Sequence, residues 1–156
     1  MKIGGLKKIS LIDFPEKIAA VIFTQGCNFR CPWCHNPELV CPELFEPVLD
    51  SEGVLEFLNH RRHQLEGIVL TGGEPLMQPA LKDYIKRIRD MGFRIKLDTN
   101  GTFPERLKEL LDEGLIDFVA MDVKAPFSKY DLLAGIPVDI HDIRQTINII
   151  KHYAPD

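Results

Sequence analysis

The sequence has no apolar run approaching the roughly 20 residues that a membrane-spanning helix needs. Lys2, Lys7 and Lys8 interrupt the apolar residues of the N-terminus, so a signal peptide's apolar stretch is missing as well. Both absences point to the cytoplasm and to no membrane partner. Lys and Arg are nowhere massed and the net charge is −4, which leaves no basic footprint for DNA or RNA. Cysteine is sparse, at four residues, and does not suit the disulfide framework of a small secreted chain. In a reducing compartment clustered cysteines more often serve metal or redox chemistry. The chain carries no low-complexity tract and no linker, and no acid–base pair or nucleophile stands out. With 156 residues, 45% apolar and 27% charged, it suits one folded domain, 1–156, with a real core.

Three of the cysteines fall in one stretch, Thr24 to Pro37, as Cys27, Cys31 and Cys34. This C-x3-C-x2-C spacing keeps three thiolates in one short loop, where they can converge on a single inorganic centre. A 4Fe–4S cube offers four irons and is usually held by four cysteines, so three thiolates leave one iron open to a substrate. Zinc is the rival occupant and needs a fourth ligand, which His35 or Cys41 could supply; a redox dithiol is another. Cys41 lies outside the tight spacing and also reads as a spare thiol. His35 is either a hydrogen-bond donor to a cluster sulfur or a plain loop histidine. Trp33 either packs over the centre to exclude water or anchors the loop.

The rest of the chain alternates strand and helix. Met1 to Glu16 is mixed, with Gly4-Gly5 and Pro15, and reads as at most a short edge strand or hairpin arm. Ile18–Phe23 is continuously apolar, as in a parallel strand covered on both faces, and leads into the cysteine loop. A helix starting near Asp50 or Ser51 turns Val54, Leu55 and Leu58 inward. Then come strand Ile68–Leu70, a helix from about Pro79 burying Leu81, Ile85 and Ile88, strand Phe93–Leu97, and a helix from Pro104 with Leu107, Leu110 and Leu111 on one stripe. Strand Phe118–Val123 and a helix opening near Asp139, with Ile140, Ile143, Ile147 and Ile150 on one face, complete the pattern. This order means an α/β chain with a parallel sheet, in four βα units, half of an eight-unit barrel of about 250 residues.

Ligands of such sheets lie at the carboxyl ends of the strands, and the unusual residues stand there. After the cysteine loop these are Thr71-Gly72-Gly73-Glu74-Pro75, Asp98-Thr99-Asn100-Gly101 and Asp122-Val123-Lys124-Ala125-Pro126. Paired glycines let a backbone approach a ligand closely, and the Glu74 carboxylate could accept from a cationic amine. Period-two alternation puts Asp98 with Asn100, and Asp122 with Lys124, on one face each. Each group also has a plainer reading: the glycine pair and Asn100-Gly101 are good turn chemistry, and Asp122 and Lys124 could simply pair with each other.

The cysteine loop after a first strand resembles the signature of the radical S-adenosylmethionine (SAM) superfamily. Cys31-Pro32-Trp33-Cys34-His35-Asn36-Pro37-Glu38 is similar to the glycyl-radical-enzyme activases within it, above all those acting on anaerobic ribonucleoside-triphosphate reductase (anaerobic ribonucleotide reductase). Gly72-Gly73-Glu74-Pro75 matches the family's GGEP motif. The resemblance spans most of the chain; it is most specific from Thr24 to Leu39 and weakest before Leu11 and after Ala134. It implies a 4Fe–4S cluster on Cys27, Cys31 and Cys34, and SAM held by Gly72, Gly73, Glu74, Asp98, Asp122 and Lys124. Glu74's motif would take the amino group and Lys124 the carboxylate, with Asp98 and Asp122 near the ligand or near a monovalent cation found in some activases. The implied activity is reductive cleavage of SAM to a 5′-deoxyadenosyl radical that makes a glycyl radical on a partner enzyme, with flavodoxin or ferredoxin as electron donor. The implied fold is a partial parallel (β/α) barrel of six units, so a chain reaching Ala154-Pro155-Asp156 where a fifth strand is expected reads as truncated. Two other readings stay open: a radical SAM enzyme acting on a small molecule such as a deazapurine, and a non-catalytic iron–sulfur or zinc module.

Overall fold

The computed structural model describes residues 1–153. Among them one sheet takes the strand order β1 (Ile3–Ser10), β2 (Ala19–Thr24), β3 (Gly67–Gly72), β4 (Arg94–Thr99), β5 (Phe118–Met121). Strands β2 to β5 run parallel, and β1 lies antiparallel beside β2 at the edge. Helix α1 (Pro37–Val40) follows the cysteine loop, and α2 (Ser51–His60), α3 (Leu81–Asp90) and α4 (Pro104–Asp112) are the crossovers to β3, β4 and β5. After β5 come α5 (Tyr130–Ala134) and α6 (Ile140–Tyr153). This is the expected α/β rhythm. The further strand expected at Ala154-Pro155-Asp156 lies outside the described residues.

Period-two alternation sorts the strands between two layers. Ala20 and Ile22 of β2, Ile68 and Leu70 of β3, and Ile95 and Leu97 of β4 are buried in the main core against Leu55 and Leu58 of α2, Ile85 and Ile88 of α3, and Leu107 of α4. The alternate residues Ala19, Val21 and Val69 face the other way, and Phe14 covers them. This double cover is why the β2 segment is apolar throughout. On β4 the same inner face carries Lys96 and Asp98, joined as an ion pair, so the inner face turns polar there.

Helix starts follow local chemistry. Asp50 accepts from the N–H groups of Glu52 and Gly53 at the head of α2, and Pro104 opens α4. Helix α3 begins at Leu81 instead of Pro79, because Pro79 and Ala80 form the turn leading out of a single 3-10 turn, Pro75–Met77. The apolar face of α6 divides, with Ile140, Ile143 and Ile147 packing on a second, smaller core around Phe29 and Tyr130, and Ile150 on the main core.

Two expectations are revised. The N-terminal edge strand is present but runs to eight residues, longer than expected. Only Ile3 and Ser10 of it are buried, so no apolar alternation advertises it, and main-chain pairing with β2 defines it; Lys7 and Lys8 blunt this edge. The last strand stops at Met121, two residues short of Val123. Asp122 still donates its N–H to Thr99 O at 3.0 Å, and the chain then leaves the ladder.

Candidate metal centre

A cavity of about 410 Å³ lies at the carboxyl ends of the parallel strands. Cys27, Cys31 and Cys34 reach it from the loop after β2, Gly72 and Gly73 from the end of β3, Asp98 and Asn100 from β4 and its exit, and Asp122 and Lys124 from beyond β5. Trp33, His35 and Asn36 also line it. Residues up to 97 positions apart in sequence thus meet around one space, and of the expected site residues Glu74 alone is missing from its wall.

Glu74 is completely buried. Its carboxylate accepts from Asn100 N–H at 2.7 Å, the Thr99 hydroxyl at 2.9 Å and Leu76 N–H at 3.0 Å. Burial pushes its pKa up to about 7, against the pull of these three donors. The carboxylate expected to accept from a ligand amine ties the exit of β4 to the exit of β3. The cause is local: Glu74 caps the 3-10 turn Pro75–Met77, and this draws its side chain under the strand ends.

The glycine pair faces a backbone as well as the cavity. Gly73 N–H donates to Thr24 O at 2.9 Å and Glu74 N–H to Gly26 O at 2.8 Å, so the β3 exit is laced to the root of the cysteine loop. A Cβ on Gly73 would stand 2.0 Å from Gly26 O. Gly72 has φ +110°, and a Cβ there would be 2.4 Å from Thr24 N. Two main chains this close require glycine before any ligand is considered.

The cysteine loop is held from several sides. Gly26 N–H donates to Leu39 O of α1 at 2.7 Å, Arg30 N–H to Ala134 O of α5 at 2.8 Å, and Cys34 N–H to Cys31 O at 3.1 Å. The Arg30 guanidinium donates to the carbonyls of Cys27 and Phe29. Phe29 is buried edge-on against Tyr130, ring centres 6.4 Å apart. Gly135, just past α5, would bring a Cβ to 2.0 Å from Arg30 O. Sequence reasoning missed this buttress; its signal was a glycine closing the short run Tyr130–Ala134, the mark of a helix end.

Burial pushes the Cys27 thiol up to about 11, with Phe29 N–H, 3.4 Å from the sulfur, pulling the other way. Burial raises Cys31 too, opposed by the Lys124 ammonium. Such thiols ionise when a cationic centre compensates the thiolate. The cysteines are free. Among the described residues no group of three or more His, Cys, Asp and Glu is gathered about a single ion position. A closed zinc site demands four donors around one ion, whereas a cube gives each thiolate its own iron. Cys41 ends α1, donating its N–H to Pro37 O, and does not line the cavity. Trp33 is 56% exposed and stands at the cavity wall.

Asp122 and Lys124 do pair, at 2.8 Å, but at the cavity rather than in the interior. Burial works against the Lys124 ammonium, and the Asp122 carboxylate outweighs it, holding the pKa above its ordinary value. Asp98 is paired in the same way with Lys96. Both acids therefore already carry an ammonium partner. No helix among the described residues is long and apolar enough to cross a membrane.

Comparison with known proteins places this arrangement among relatives. The family model described as the Radical SAM superfamily matches residues 21–155. A Methanocaldococcus jannaschii protein provisionally named a glycyl-radical enzyme activating enzyme is 37% identical over 150 residues, covering 93% of this chain and 59% of that protein. A 7-carboxy-7-deazaguanine synthase of Methanopyrus kandleri is 39% identical over 127 residues, covering 69% of this chain and 49% of the synthase. The chain thus spans about half the length of the curated relatives it matches. Among solved structures, TYW1 with a lysine-pyruvate adduct bound superposes with a TM-score of 0.61 at 17% identity, over 86% of this chain and 52% of that one, which shows a shared fold.

Proposed function

The chain belongs to the radical SAM superfamily, and from that premise we propose that residues 1–156 are core-domain sequence in which Cys27, Cys31 and Cys34 hold a 4Fe–4S cluster with one iron left for SAM. The observation that carries this reading is the meeting of three loop cysteines with three further strand ends around one cavity. When bound, the cluster supplies the electron that cleaves SAM to methionine and a 5′-deoxyadenosyl radical. The chain's own residues orient the ligand. Gly72 and Gly73 offer backbone groups for the amino end, Lys124 an ammonium for the carboxylate, and Asp98 and Asp122 line the same space. Glu74 contributes from behind the wall by holding Asn100. A monovalent cation at Asp98 and Asp122 would compete there with Lys96 and Lys124.

The hydrogen donor in this reading is a glycine of a glycyl radical enzyme, as the name of the Methanocaldococcus relative supports. The sequence resemblance narrows the partner to anaerobic ribonucleotide reductase, with flavodoxin or ferredoxin as electron donor. Similarity to the deazaguanine synthase favours a second reading, a small deazapurine precursor as substrate. The test is electron paramagnetic resonance of protein reconstituted anaerobically with iron and sulfide, reduced, with and without SAM. A reduced-cluster signal that changes shape with SAM supports the proposal, and a radical then formed on a glycyl radical enzyme selects the activase over the synthase. Failure to assemble a cluster, or zinc in its place, overturns it. A cluster indifferent to SAM would leave the non-catalytic iron–sulfur module.

A further inference from the structure

Asn100 follows β4 and is buried, with its side-chain amide fully engaged. Its Oδ1 accepts from Thr102 N–H at 3.1 Å and from the Thr102 hydroxyl at 2.7 Å. Two donors on one end of an amide decide its orientation, so Nδ2 faces the cysteine loop. One of its N–H groups donates to Asn28 Oδ1 at 2.8 Å, and the other faces Cys27 Sγ at 3.9 Å. Asn28 closes a ring by donating to Thr102 Oγ1 at 2.9 Å. From below, Glu74 holds the Asn100 backbone N–H, and the Thr146 hydroxyl of α6 holds Gly101 O at 2.7 Å. A continuous set of hydrogen bonds therefore runs from a buried carboxylate to a sulfur of the candidate metal loop.

We propose that Asn100 is a positioning residue whose amide donates to the Cys27 sulfur and raises the reduction potential of the cluster that this sulfur holds, with Glu74, Asn28 and Thr102 fixing the amide. An added electron places more negative charge on the ligand sulfurs, so an N–H dipole aimed at a sulfur stabilises the reduced state more than the oxidised one. Among the described residues the other donor at Cys27 is the backbone N–H of Phe29, so Asn100 is the one whose removal leaves the main chain intact. The inference rests on the reading of Cys27 as a cluster ligand.

The test is a redox titration of the reconstituted holoprotein, read by electron paramagnetic resonance, for wild type and Asn100→Leu, which removes the donor at similar size and no charge. The expected result is wild-type iron and sulfide content with a lower midpoint potential. A tenfold fall in the reduced-to-oxidised ratio at fixed poise would correspond to about 59 mV for one electron. A loaded variant with the wild-type midpoint overturns this inference alone, whereas a wild type that assembles no cluster overturns the underlying reading and this inference with it. Should Asn100→Leu fail to load, the same titration of Thr102→Val, which removes the hydroxyl that orients the amide, decides: a midpoint below wild type supports the Asn100 contact, and a loaded variant with the wild-type midpoint refutes it.

Discussion

Gly73→Ala separates two roles for a glycine, admitting a ligand and admitting a neighbouring backbone. Gly73 does not have a positive φ, so alanine brings no backbone strain and, by restricting the unfolded chain, would by itself stabilise by about 0.4–1 kcal/mol. Against this, the new Cβ would stand 2.0 Å from Gly26 O and 2.6 Å from Gly26 C, where real Cβ contacts stay above 3.0 Å. The two loops must therefore part by about 1 Å. That strains two bonds, Gly73 N–H to Thr24 O and Glu74 N–H to Gly26 O. Each buried group left unpaired costs about 1–3 kcal/mol, so the clash wins, with a net loss of about 1–5 kcal/mol once the gain of about 0.4–1 kcal/mol is set against the two bonds. Gly26 adjoins Cys27, and its displacement spreads into the thiol set. Denaturant unfolding of the apoprotein should show the loss, and iron and sulfide per chain after anaerobic reconstitution should fall well below wild type. A variant of wild-type stability and full iron content that merely fails to bind SAM would refute this reasoning and return Gly73 to a ligand role alone.

Gly135→Ala should be at least as damaging, because its φ of +71° adds a left-handed penalty of about 1–2 kcal/mol to a Cβ 2.0 Å from Arg30 O; loss of cluster loading together with easier proteolysis around α5 is the expected result. Glu74 gives a pH signature: its pKa is about 7 when folded against 4.5 unperturbed, so its favourable contribution is complete below about pH 4.5 and is lost as pH rises to 7, on the order of 3 kcal/mol in all. The stability difference between wild type and Glu74→Gln, from denaturant titrations across that range, should move against wild type as pH rises; a flat difference would refute the shift. Lys124→Met keeps the stem and removes the ammonium, and should weaken SAM binding at least tenfold, about 1.4 kcal/mol, with iron content unchanged; equilibrium binding to the reconstituted protein measures it. Leu58→Ala, in the main core and fully buried, should cost about 2–5 kcal/mol of stability without altering the cluster signal of the folded fraction.

Much of the fold could be read from the chain because its signals are local. Ile18–Phe23 announces a doubly covered strand by composition, and the stripes Leu81, Ile85, Ile88 and Leu107, Leu110 announce their helices by spacing. The cysteine spacing marks a candidate metal loop because a short loop brings its own thiols together, whatever the remainder of the fold does. The length of β1 stayed hidden because main-chain pairing, not side-chain alternation, defines it, and α5 because five residues carry too little periodicity.

What a side chain points at is another kind of fact. That Glu74 turns beneath the strand ends to hold Asn100, that Gly73 meets Gly26, and that Gly135 meets Arg30 depend on contacts between segments far apart in sequence. The residue types and their placement at strand ends followed from the sequence by itself. Only the tertiary structure decided which of them face the cavity and which hold its walls, because that choice belongs to the packing of one loop against another and not to either loop alone.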